Sequence, residues 1–142
     1  MTEFLFIYGT LLSGYGHPMH EILGRYADLS GIGFINGKLY ELGDYPGLVL
    51  SNNTSKVVWG EIYIIRENEE LFRYLDEYEG CASHQPQPHE YRRDLVTIHD
   101  SPEHSLLAWT YLYKHAVTDL SLIPGGDYLS HRNKGRLKIV NQ

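Results

Sequence analysis

The stretch Phe4–Leu12, FLFIYGTLL, decides how the rest of the chain is read. Phe4, Leu5, Phe6 and Ile7 form an unbroken apolar run of aromatic and branched residues, the pattern of a strand covered on both faces and therefore central in its sheet. Gly9 then permits a backbone shape that a residue with Cβ resists. With the small polar Thr10 beside it, the turn presents peptide N–H groups at the strand's carboxyl end, where ligands often bind. The plainer reading of Tyr8-Gly9-Thr10 is a tight corner and nothing more.

Working outward, Pro18 opens a helix over MHEIL that Gly24 is expected to end. Leu29–Leu42 has strand-forming residues interrupted by Gly31, Gly33 and Asn36-Gly37, which mark a reversal or bulge between paired strands. Asp44-Tyr45-Pro46-Gly47 reads as a turn before the short strand Leu48–Leu50, and Ser51–Ser55 as an exposed loop. Val57–Ile65, VVWGEIYII, is the second strong strand, with Gly60 at a bulge or close approach. A helix follows from about Glu67 to Tyr78, acidic in its first turn as the dipole prefers. The prolines of CASHQPQPHE forbid regular structure, and Tyr91–His99 and Ser105–Tyr113 form a hairpin. From Ala116 to Gln142 periodicity is weak, so this tail is expected to wrap the surface or stay partly irregular. The pattern predicts one α+β domain over 1–142: a curved mixed sheet, in the limit a barrel, with helices outside.

Bulk composition narrows the function classes. A chain of 142 residues can bury a real core, and its 13% aromatic content includes twelve tyrosines able to line a half-polar pocket. Twelve basic against eighteen acidic residues give a net charge of −6 with no basic patch, which argues against a nucleic-acid partner. No apolar run reaches the roughly eighteen residues of a membrane span. The single Cys81 and an N-terminus that enters a strand directly lead to the expectation of a cytoplasmic protein. Oligomeric state is left open.

The long helix carries three acids near its end, and phase separates them. At about 100° per residue, Glu79 falls roughly 60° from the centre of the Leu71, Phe72, Tyr74, Leu75 and Tyr78 face, while Asp76 and Glu77 fall about 120° and 140° away. Asp76 and Glu77 are expected to be solvated. A carboxyl held against apolar and tyrosine side chains loses hydration, so its pKa rises toward the range useful for moving protons. Glu79 is thus a candidate general acid/base, the alternative being a helix-end glutamate bent back to water. Cys81 with His84 and His89 raises a thiol or metal site, but one Cys and scattered histidines supply neither a positioned base nor four ligands of closed geometry. No metal and no cofactor are expected.

Tyr8–Leu12 (YGTLL), Leu75–Gly80 (LDEYEG) and Pro88–Arg93 (PHEYRR) occur in the order seen in the γ-glutamylcyclotransferase-like superfamily, including the γ-glutamylamine cyclotransferases and AIG2-like proteins. The resemblance covers most of the first 113 residues. It implies a small mixed β-barrel with flanking α-helices, a substrate-cradling loop on Tyr8, Gly9, Thr10 and Leu11, an acid/base on Glu79, and a late-strand tyrosine on Tyr113. The chemistry implied is cyclisation of a γ-glutamyl amide to 5-oxoproline with release of the amine, on a small-molecule substrate. The family pattern places its proline soon after the glutamate, whereas CASHQPQ intervenes here. That leaves γ-glutamyl amino acids, γ-glutamylamines and other amides all open. The rival from another class is a non-catalytic metabolite- or peptide-binding module on the same fold. A catalytic protein needs Glu79 dry and facing Tyr8–Leu11; a binding module does not.

Overall fold

The computed structural model describes residues 2–133. Its elements are β1 (Glu3–Ile7), α1 (Met19–Tyr26), β2 (Ala27–Glu41), β3 (Pro46–Leu50), β4 (Val57–Ile65), α2 (Asn68–Tyr78), β5 (Tyr91–Ser101), β6 (His104–Tyr113), the short β7 (Ser121–Leu122) and the 3-10 turn η1 (Pro124–Gly126). The strands run β3-β2-β4-β1-β6-β5, and β5 returns to β2, so β2, β4, β1, β6 and β5 close into a five-stranded barrel. Its one parallel pairing, β1 with β6, sets Leu5 opposite Trp109. The opening strand is therefore interior to the sheet, with Leu5 and Phe6 almost wholly buried. The expected mixed barrel with outer helices is the fold found.

Closure depends on what one residue lacks. At Gly33, beside the Phe34–His99 pairing, a Cβ would come within 2.5 Å of the His99 carbonyl oxygen, so only glycine lets β2 and β5 approach. The glycines of β2 thus do not break it. Its single bulge lies between Leu29 and Gly31, and Asn36-Gly37, expected to mark a reversal or bulge, is where β2 passes from pairing with β4 to pairing with β3. Likewise α1 runs through Gly24 to Tyr26, because Leu23 is fully buried and tertiary packing outweighs the modest helix penalty of glycine.

The tail departs most from expectation. Ile123 and Tyr128 are core residues; the Ile123 amide donates to the Leu39 carbonyl at 2.7 Å, and the Tyr128 hydroxyl donates to the Asp44 carbonyl at 3.1 Å. The irregularity expected for 134–142 lies outside the described residues. Gly126 makes this docking possible: its φ is +65°, and a Cβ there would stand 1.9 Å from the Val57 carbonyl oxygen. Gly126→Ala is expected to destabilise the fold by about 1–3 kcal/mol, through backbone displacement and left-handed strain. An unchanged denaturation midpoint would show that η1 does not brace β4. No helix among the described residues is long and apolar enough to cross a membrane.

Candidate active site

Between the end of β1, the end of α2 and the β2–β3 turn lies a cavity of about 490 Å³. One wall is the turn Tyr8-Gly9-Thr10-Leu11, closed by the Leu12 amide donating to the Gly9 carbonyl at 3.0 Å. The amides of Thr10 and Leu11, at the centre of that turn, have no backbone acceptor among the described residues and remain available as donors. Gly9 serves this wall differently from the expectation. Its φ is not positive; instead its missing side chain makes room for Pro46, whose Cγ would lie 2.9 Å from a Cβ. Asp44, Tyr45 and Pro46 thereby form the rim of the cavity.

Glu79 comes from the opposite wall, and the helix end places it. The Gly80 amide donates to the Glu77 carbonyl (3.2 Å) and the Cys81 amide to the Asp76 carbonyl (2.9 Å), while Gly80 takes φ +75°. These are the two bonds of a Schellman cap, with glycine at the left-handed position. The helix is stopped one residue after Tyr78 and Glu79 is left as its C-cap, directed into the cavity. The residue is half-buried and lines that cavity. Loss of hydration, and after it the charges of Glu90 and Asp76, push its carboxyl up to about 8. The outward-pointing carbonyls of the helix end act in the same direction.

Six tyrosines line the cavity, and three of them, Tyr8, Tyr91 and Tyr111, are tied to the scaffold through buried hydroxyls. The Tyr8 hydroxyl donates to the Tyr111 carbonyl (2.7 Å), that of Tyr91 to the Pro46 carbonyl (2.7 Å), and that of Tyr111 to Asp76 Oδ1 (2.7 Å). Burial pushes all three hydroxyls well above the ordinary tyrosine range, so they keep their protons. Thr10 Oγ1 and the Tyr78 hydroxyl share a bond of 2.8 Å, which joins the two walls.

Two expectations need correction. Tyr113 does not line the cavity: two positions beyond Tyr111 on β6, its ring lies edge-on to Tyr91 and His115 at the strand's end, and Tyr111 holds the inward position. Asp76 is not solvated. It takes Arg93 Nε on Oδ1 at 2.9 Å and Nη2 on Oδ2 at 3.3 Å, with the Tyr111 hydroxyl also on Oδ1. The Arg93 guanidinium in turn lies 3.8 Å from the centre of the Phe72 ring. Helix phase missed this because Arg93 of β5 and Tyr111 of β6 reach that side of α2, a tertiary fact. Glu77 is exposed as expected and pairs with His84 at 2.8 Å.

The CASHQPQ insertion is pinned back on α2 by Gln85, whose side chain accepts from the Ala82 amide (2.7 Å) and donates to the Glu77 carbonyl (3.1 Å). Of residues 80–90, only Gly80 and Glu90 reach the cavity. Glu90, which the sequence reading did not single out, accepts the Tyr45 hydroxyl at 2.8 Å. Cys81 lies outside this cavity, and burial pushes its thiol up to about 11. Among the described residues no three His, Cys, Asp or Glu side chains converge as metal ligands would.

Comparison with known proteins places the fold in a family. The chain is 36% identical over 129 residues to the γ-glutamylcyclotransferase family protein YtfP of Escherichia coli K12, covering 88% of this chain and 95% of the relative. The solution structure of E. coli ytfP superposes with a TM-score of 0.61 at 33% identity, over 91% of this chain and 98% of that one. The crystal structure of a mouse AIG2-like protein is similar in fold, with a TM-score of 0.66 at 24% identity over 89% of this chain and 88% of that one. The family model for γ-glutamyl cyclotransferase, AIG2-like, matches residues 5–130, nearly the whole barrel together with the tail that braces it, and the chain belongs to that family.

Proposed function

We propose that the protein cyclises a γ-glutamyl amide to 5-oxoproline and releases the amine, with Glu79 as the general acid/base. The observation that carries this is the Glu79 carboxyl itself: enclosed, without a hydrogen-bond partner among the described residues, raised to about 8, and set across the cavity from the Tyr8–Leu11 turn. The substrate's α-amine attacks its own γ-carbonyl and passes a proton to Glu79. The carboxylic acid then protonates the departing nitrogen as its bond to the γ-carbon breaks, restoring the carboxylate. Nucleophile and electrophile belong to one molecule, so a cavity that folds the substrate into its attacking shape gains much of its effect from orientation. The Thr10 and Leu11 amides offer donors for a substrate oxygen.

Incubation of the pure protein with a panel of γ-glutamyl amides, followed by detection of 5-oxoproline, tests this reading; no 5-oxoproline from any of them would defeat it. The mechanism uses neither a metal nor a thiol. Activity is therefore expected to persist in excess EDTA and in Cys81→Ser, and loss on chelation that added metal restores would overturn the mechanism.

A further inference from the structure

The CASHQPQ insertion, by which this chain departs from its family's pattern, takes no part in the chemistry proposed above, yet it walls a second cavity. Cys81, its first residue, and His89, two past its last, line a crevice of about 220 Å³ together with Arg92 and Arg93 of β5 and Lys114 just beyond β6. Only Tyr91 is shared with the larger cavity. The crevice is cationic: Asp76 is the one carboxylate lining it against three basic side chains, in a protein whose net charge is −6.

These side chains keep donors that the protein itself does not use. Arg93 holds Asp76 through Nε and Nη2, with its guanidinium fixed 3.8 Å from the Phe72 ring centre and 4.9 Å from that of Trp109. Its Nη1 has no acceptor among the described residues. Arg92 turns Nε and Nη2 to Asp94 Oδ2 at 2.9 and 2.6 Å, which leaves its Nη1 in the same state. Lys114 is exposed and adds an ammonium with three donors. His89 Nε2 lies 3.1 Å from the Gln85 carbonyl, which can only accept, so the ring donates there and its Nδ1 is uncommitted. No guanidinium fork is thus left to grip a planar carboxylate with two parallel bonds. Single donors on separate side chains suit instead an oxyanion that spreads its charge over three or more oxygens. The volume is below the roughly 300–1,000 Å³ of ordinary ligand pockets, which restricts the occupant to a small group.

We propose that this crevice is a binding site for phosphate, free or as the monoester of a small metabolite, held by Arg92, Arg93 and Lys114 between the insertion and the start of β5. Arg93 is the fixed member of the set, already immobilised by Asp76 and two aromatic rings, so little side-chain freedom is lost when an anion arrives. The site stands apart from the cyclisation chemistry and does not depend on it.

Inorganic phosphate, glycerol 3-phosphate and succinate, titrated into the whole protein at constant ionic strength, test this by calorimetry and by amide chemical shifts. Phosphate or its ester is expected to bind with a Kd of about 1 mM or tighter, and succinate more weakly. The shifts should centre on Tyr91, Arg92, Arg93 and Lys114. Tighter binding of glycerol 3-phosphate than of phosphate assigns the occupant as a monoester, and the reverse order assigns free phosphate. In Arg92→Gln/Lys114→Gln the affinity is expected to fall about tenfold or more, the combined scale of two exposed charge contacts. Arg25→Gln/Lys56→Gln removes the same charge from two exposed positions outside the crevice and should bind as the wild type does. If the first double variant does not fold, Lys114→Gln alone carries the comparison. Absence of saturable binding by phosphate and its ester up to about 10 mM would overturn the site. So would an equal loss in the two double variants, succinate binding as tightly as phosphate, or shifts confined to Thr10 and Leu11, which would put the anion in the larger cavity.

Discussion

Glu79→Gln is expected to lower turnover of a confirmed substrate by at least about a hundredfold, the lower end of what general acid/base catalysis contributes. Glutamine keeps the size and polarity of the side chain but cannot carry a proton between the attacking and departing nitrogens. In the wild type, kcat/KM is expected to rise with pH through about 8, where the carboxyl takes its basic form, and the variant should lose that limb. Glu77→Gln is the proper control, being exposed on the far side of the helix; Asp76→Asn is not, because Asp76 anchors Arg93 and Tyr111. Near-normal cyclisation by Glu79→Gln would move the proton shuttle to another residue.

The same carboxyl should make the fold lose stability as pH rises. The unfolded chain releases this proton near the ordinary value of 4.5, whereas the folded protein holds it until about 8. Between those values the unfolded state binds fewer protons, so stability declines with increasing pH, and above about 8 the decline from this group stops. Its full extent is about 3–5 kcal/mol, since each pKa unit corresponds to about 1.4 kcal/mol. Glu79→Gln should therefore match the wild type near pH 4 and exceed it by about that amount near pH 9. Urea unfolding of both proteins at the two pH values checks this, and equal stability at the higher one would mean that the folded carboxyl is well hydrated. On the proposed mechanism, stability is thus given up to hold a proton acceptor out of bulk water.

What could be read beforehand was whatever depends on neighbours in the chain. The runs FLFI and VVWGEIYII declare strands by themselves, and the inward turn of Glu79 followed from helix phase with the buried Leu71 and Leu75. A glycine in a strand is ambiguous, because the same residue serves a reversal and a close crossing. Asn36-Gly37 left a reversal or a bulge open, but what crowds Gly37 is Val49 and Leu48 of β3, across a turn that periodicity cannot place. Tyr111 and Tyr113 share one face of β6, so alternation alone could not tell which reaches the cavity. Only the bond to Asp76, which belongs to a different element, distinguishes them. Ile123 and Tyr128 were missed for a related reason: the apolar residues Leu120, Leu122, Ile123, Tyr128 and Leu129 are split by Pro124, Gly125 and Gly126 and carry no sustained period, yet Ile123 and Tyr128 are buried in the core.

The parallel seam between β1 and β6 bears on how the protein is born. Tyr8 and Tyr111, whose bond closes the cavity floor, are 103 positions apart. At about 5–20 residues per second, a ribosome needs roughly 5–20 s to deliver the second after the first. Throughout that interval β1 can pair only with β4, and its other edge, flanked by Phe4 and Phe6, stays open to foreign strands. The nascent chain is then most prone to aggregate, and most in need of a chaperone, until β6 arrives. Sealing that edge also brings Tyr111 to the cavity, so an incomplete chain exposes a sticky strand before its cavity is complete.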